Sequence, residues 1–169
     1  MAKYFISGPH ELPINQDHKV PEVDKAHLSN FWGEIGRASE GIGCYVFGFR
    51  AGKGYRPVYV GKTSSGFKYE CFSEGKLHKY DKALARNGKG TPVMFLVIQK
   101  TTAGRPNEKS IKELEKYLIE SAYAKNPELL NVQHANKGKY FEIEGVLNYG
   151  KGKPSGAAAK FRVIMGFGK

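Results

Sequence analysis

Residues 93–98, Val-Met-Phe-Leu-Val-Ile, form an apolar run with no polar alternation. A strand with one wet face alternates polar and apolar residues, so a run like this marks a central strand covered on both faces. Two shorter apolar runs precede it, at 43–50 and 56–60. The "AGKGY" between them carries the glycines that suit a hairpin turn.

Helical spacing accounts for much of the rest. Asp24 is placed to cap a helix in which Leu28, Phe31, Trp32 and Ile35 share a face, a lid over one side of the sheet. Residues 67–87 predict a helix interrupted at Ser73-Glu74-Gly75. Residues 108–124 give the clearest helix. Residues 139–146 predict a strand with Tyr140, Glu142 and Glu144 opposite Phe141, Ile143 and Gly145. Ser155 caps a short helix bearing Ala157, Ala158, Phe161, Ile164 and Met165. Residues 1–20 show no sustained periodicity. The expected fold is α+β: a small, mostly antiparallel three-stranded sheet (β-hairpin, helix, central strand, helix) flanked by helices. Residues 1–40 are expected as an N-terminal extension with one amphipathic helix packed on the domain, 41–132 as the core, and 133–169 as a C-terminal strand and helix addition.

The chain has 169 residues, 40% hydrophobic and 12% aromatic, enough for a real core and unlike a disordered chain. Its net charge of +11 is unevenly placed. Residues 1–50 hold five basic and six acidic residues, residues 51–110 twelve and four, and residues 111–169 ten and six. The excess begins at the hairpin, and a basic surface of this kind attracts polyanions. The two cysteines, Cys44 and Cys71, form no CxxC pair, and the histidines add no zinc spacing. The opening "MAKYFISGPHELP" lacks the apolar stretch of a signal peptide, and no segment is long enough to span a membrane. The expectation is a soluble, cytoplasmic protein.

One acid stands in an unexpected place. At about 100° per residue, Ile111, Leu114, Leu118, Ile119 and Ala122 make an apolar stripe, and Glu115 falls inside it, about 40° from Ile111. Glu113, Lys116 and Glu120 fall on the opposite, solvated side. An inward carboxylate must be paired, neutralised or bound to a cation; a structural salt bridge and a functional role are both open on this helix alone. The hairpin tyrosines carry a similar tension. Tyr45 shares a face with Phe47 and Phe49, as a packing residue does, and Tyr59 faces away from Val58 and Val60. Gly43 and Gly61 beside them let a backbone or a ligand approach closely.

Taken together, these residues resemble the GIY-YIG endonuclease superfamily. "GCY" at 43–45 stands for GIY, "YVG" at 59–61 for YIG, and "GKT" follows as it often does in that family. Residues 114–131 resemble the family's helix and the segment after it, with Glu115 in the place of the metal-binding glutamate and Pro127 and Asn131 at the end. The likeness covers roughly residues 43–131. It implies phosphodiester hydrolysis with one divalent cation, Mg²⁺ or Mn²⁺, held by Glu115 and waters. It implies that Tyr45 acts on the attacking water as base or orienter, and that Tyr59 bonds the phosphate or the water network. A phenol titrates near ~10, so a base at Tyr45 needs a lysine or the metal to lower it. The family's phosphate-clamping arginine is missing: its position is Tyr69. Lys68, Lys76 and Lys62 are the candidate replacements, with Lys76 favoured, and each is otherwise a solvated surface residue. His78 reads as surface.

The expected function is therefore a metal-dependent DNA endonuclease acting on double-stranded or branched DNA. The alternative is a non-catalytic or partner-dependent nucleic-acid-binding module, in which a second protein delivers the substrate. The nuclease reading requires both phenols and Glu115 to share one hollow, and Glu115 not to be locked to an interior lysine.

Overall fold

The apolar run lies in the middle of a five-stranded sheet. The structure, a computed structural model, describes residues 1–15, 17, 19–87, 89–101, 105–131, 141–146 and 154–167. In chain order the elements are β1 (Ala2–Glu11), β2 (Ile14–Asn15), β3 (Glu22–Val23), α1 (Leu28–Ile35), β4 (Gly43–Ala51), β5 (Gly54–Thr63), α2 (Phe67–Glu70), α3 (Glu74–Asn87), β6 (Thr91–Gln99), α4 (Glu108–Lys125), β7 (Phe141–Ile143) and α5 (Gly156–Met165).

The main sheet has the order β5-β4-β6-β1-β7. The β1–β6, β4–β6 and β4–β5 pairs are antiparallel, and β7 joins β1 in parallel. The fold is α+β, but the sheet is five-stranded and mixed where three antiparallel strands were expected. The reason lies in β1. Tyr4 and Ile6 point inward and are buried, but Phe5 between them is apolar and faces outward, which erases the period-two signal. Gly8-Pro9 then sits at a register irregularity against β6. The strand expected at 139–146 is formed at 141–143; residues 139 and 140, with Tyr140, lie outside the described residues.

β6 explains its own sequence. Val93, Phe95 and Val97 pack into a core with α4 and α5, whereas Met94, Leu96 and Ile98 pack into a second core with α1, α2 and α3. Both faces are covered, so both sets are apolar. α1 packs Leu28, Trp32 and Ile35 on the second core, with buried Phe31 edge-on to Phe72 and Asp24 capping the 3₁₀ turn before the helix through the Ala26 amide. The interruption expected at 73–75 comes earlier, at 71–73, and Gly75 lies inside α3. α5 begins at the Ser155 cap and buries Ala158, Phe161, Ile164 and Met165 in the same core as α4.

β5 is an edge strand, and open edges invite stray pairing. Here the segment after α4 covers it. The Asn126 side chain donates to the Pro57 carbonyl (2.7 Å), and the Leu130 amide donates to the Val58 carbonyl (2.8 Å). The Asn131 side chain both accepts from the Val60 amide and donates to the Val60 carbonyl, each at 2.7 Å. A bulge between Pro57 and Tyr59 leaves Val58 as the extra residue, so Val58 and Tyr59 reach the same core while Val60 reaches the other.

Candidate active site

The two tyrosine-glycine motifs meet across the hairpin. Tyr45 is the direct partner of Gly61, and Phe47 of Tyr59. The Tyr45 ring lies flat over Gly61: a Cβ there would stand 2.3 Å from Cζ and 2.4 Å from the hydroxyl. Gly43 has φ +143°, and a Cβ there would meet the Val97 carbonyl at 2.0 Å. Both glycines are thus fixed by close approach, one of a ring and one of a backbone.

Tyr45 is fully buried and Tyr59 is 8% exposed, their ring centroids 6.2 Å apart. α3 brings in a third phenol. Tyr80 is fully buried, stacks on Phe47 (4.4 Å) and lies 6.1 Å from the Tyr59 ring. The Tyr45 and Tyr80 hydroxyls have no hydrogen bond of good geometry, although the Tyr45 hydroxyl is near enough to Tyr59 and Tyr80 to influence both. Burial pushes Tyr45 far above an ordinary phenol, and Tyr80, Cys71, Tyr59 and Glu70 push the same way. A water-activating phenolate at Tyr45 needs the opposite shift. Burial thus favours the protonated phenol and works against the base half of the base-or-orienter expectation. Tyr59 is also raised, first by burial and then by the Glu115 carboxylate.

Glu115 reaches this end of the hairpin from the other helical layer. Its carboxylate accepts from Lys62 Nζ at 2.6 Å, with side-chain exposures of 18% for Glu115 and 39% for Lys62. The inward acid therefore has a lysine partner, but one at the surface and not in the interior. Glu115 also acts on Tyr59, as above, and on the buried Cys44 thiol, raised by burial and then by Glu115. Cys44, the centre of the first motif, packs against α4 and donates from Sγ to the Ile111 carbonyl at 3.5 Å. Glu113, expected on the solvated side, is half-buried with one buried carboxylate oxygen that makes no hydrogen bond.

The candidate lysines part company. Lys76 stands 5.8 Å from the Tyr45 ring centroid and is ion-paired to the Glu70 side chain. Lys62 sits on Glu115. Lys68 pairs with Glu40 at 2.8 Å and covers the exposed Tyr69 ring, so its contacts are not with the phenols. Of the three expected lysines, Lys68 is thus the one held away from the phenols, by Glu40 and Tyr69. Sequence reasoning missed Lys79, whose Nζ stands 4.7 Å from the Tyr59 ring centroid, along with Tyr80 and Glu70. The i, i+3, i+4 spacing of Lys76, Lys79 and Tyr80, which puts them on neighbouring positions of one helix face, was the available signal. His78 is exposed. Asn131 serves the site from behind, holding β5 at Val60.

A cleft of about 190 Å³ opens at Lys62 and Glu70, lined also by Thr63, Ser65, Glu108 and Lys112 and by neither phenol nor Glu115. Among the described residues no three acidic, histidine or cysteine side chains converge as a metal cage. For a hard cation the donor at hand is the Glu115 carboxylate, which suits an ion that keeps most of its own waters once Lys62 moves aside. No described helix is long and apolar enough to cross a membrane. Comparison with known proteins returned no match to a family model, to a curated protein or to a solved structure.

Proposed function

We propose that this chain is a metal-dependent endonuclease of the GIY-YIG type that hydrolyses DNA phosphodiester bonds. The observation that carries the reading is the ion pair of the inward Glu115 on α4 with Lys62, the residue directly after the second tyrosine-glycine motif. Within the larger sheet, β4, β5, α2–α3, β6 and α4 make the three-stranded core of that reading, and β1 and β7 extend it.

Hydrolysis forms a bond from a water oxygen to phosphorus and breaks the bond to the 3′ oxygen. Glu115 would hold a Mg²⁺ or Mn²⁺ ion, which would supply charge neutralisation at the leaving oxygen. The residues of the chain do the positioning. Tyr59 orients phosphate or water by hydrogen bonds, and Tyr45, fully buried, meets the attacking water only once the site opens for substrate. Lys62, released from Glu115, and Lys76, released from Glu70, neutralise phosphate oxygens as point charges.

A second reading has its own support. Tyr45 is wholly buried, and Lys62, Lys68 and Lys76 are all engaged by carboxylates. A non-catalytic module, or one that a protein partner opens, fits those facts. A plasmid-nicking assay with Mg²⁺ or Mn²⁺ decides between them, run on wild type and Glu115→Ala beside a DNA-binding measurement. The nuclease reading expects nicking by wild type and a loss of 10²-fold or more in the variant, with binding retained. Equal binding and no cutting by either protein establishes the module.

A further inference from the structure

We infer that the nucleic-acid strand entering this site leaves it along one face of α3, its phosphates held by Lys79, Lys82 and Arg86. This rests on the nucleic-acid reading above and adds the path of the substrate. At about 100° per residue from Lys79, Arg86 lies at about −20°, Lys82 at about −60° and Lys76 at about +60°. The buried residues of the helix, Ala83, Tyr80, Leu84 and Leu77, occupy about 40° to 160°. The basic stripe thus borders the buried face, and Lys79 over the Tyr59 ring shows which border: the one at the phenols. Lys82 and Arg86 are exposed and carry the stripe away from the site.

The acids of α3 avoid this face. Glu74 and Asp81 fall at about −140° and −160°, and Asp81 is engaged by the Val23 amide. Lys62, Lys68 and Lys76 each have a carboxylate; Lys79, Lys82 and Arg86 have none among the described residues. Like charges at helical spacing repel, and among the described residues no carboxylate offsets that repulsion. An anionic strand does. At 1.5 Å per residue, Lys79 and Arg86 are about 10.5 Å apart along the axis. That span is long enough to meet more than one phosphate of a strand that starts beside Tyr59. A continuous polyanion anchored in the site fits the direction of the stripe.

The test is fluorescence anisotropy of a labelled DNA oligonucleotide, without divalent cations, from 50 to 200 mM salt. It compares wild type, Lys82→Ala/Arg86→Ala and a charge-matched control, Lys116→Ala/Lys160→Ala, exposed positions on the opposite layer. Each phosphate contact contributes about 0.7–0.9 to the slope of log K against log salt. The stripe variant is expected to lower the slope by about 1.4–1.8, and the control to leave it near wild type. Circular dichroism of each protein guards against unfolding. Equal, small losses in both variants would mean net charge alone and overturn the stripe, leaving the nuclease reading intact. A lowered slope in a protein that never nicks DNA upholds the stripe and removes only the catalysis. Wild type that binds no oligonucleotide at 50 mM salt removes both.

Discussion

Gly61→Ala tests the packing on which the site depends. The added Cβ would stand 2.3 Å from Cζ, 2.4 Å from the hydroxyl and 2.8 Å from Cε2 of Tyr45. A normal contact is nearer 3.5–4.0 Å, so the ring must withdraw by about 1 Å. It has nowhere to go: Tyr45 is fully buried, with Phe67 edge-on at 6.4 Å and Tyr59 at 6.2 Å. Overpacking of this kind costs about 1–3 kcal/mol. In a Tyr45→Leu background the colliding atoms are gone, and alanine in a strand is then favoured over glycine by about 0.5–1 kcal/mol. The expected coupling between the two positions is therefore about 1.5–4 kcal/mol, the sum of these two effects, near or above the usual range for residues in contact. Urea unfolding of the four proteins, followed by the fluorescence of Trp32, measures it; Trp32 packs on Phe31 and Phe72 in the same core. Should Gly61→Ala cost the same in both backgrounds, the ring does not fix this glycine and the close approach is irrelevant. Under the nuclease reading the same substitution is also expected to abolish nicking, since it displaces the Tyr45 ring.

Other expectations rest on single groups. Asn131→Ala leaves the Val60 amide and carbonyl without their partners and is expected to cost about 1–3 kcal/mol; hydrogen exchange at Val60 should accelerate selectively. Tyr80→Phe deletes a buried hydroxyl with no well-formed hydrogen bond, so stability in urea should stay level or rise by up to about 1 kcal/mol. Tyr4 is pushed up to about 12, chiefly by burial. An unfolded phenol ionises near ~10, so the stabilisation from Tyr4 is complete below that pH. It is lost as pH rises from about 10 to 12, a change of about 2–3 kcal/mol. Absorbance near 295 nm should show Tyr4, Tyr45, Tyr59 and Tyr80 ionising only with unfolding, and normal titration of these phenols in the folded protein would refute their burial. Cys44 and Cys71 are both buried, so a thiol reagent should label neither until the chain unfolds.

Much of the fold was legible because its causes are local. The run at 93–98 could only be a two-sided strand, and its alternate residues do serve two cores. The periodicity of α4 put Glu115 on an inward face before any partner was known. The stretch at 1–11 was not legible, because outward Phe5 looks like inward Tyr4 and Ile6 in composition and differs only in what lies across the sheet. The break between α2 and α3 was visible but misplaced, since Gly75 is tolerated inside a helix when its neighbours pack.

The sequence by itself determined the hairpin, the two-sided strand and the long helix after it, that the hairpin juxtaposes two tyrosines with two glycines, and that one carboxylate on α4 cannot face water freely. Backbone periodicity carries that information within a few turns. Tertiary structure alone decided where the lysines go: Lys62 to Glu115, Lys76 to Glu70, Lys68 to Glu40 and Lys79 to the face of Tyr59. It also decided that Tyr80 joins the phenols and that Tyr45 is sealed from water. A long, flexible ammonium takes its position from whichever carboxylate or ring lies across space. A phenol's proton is held according to the groups that exclude water from it, and those come from elements tens of residues away.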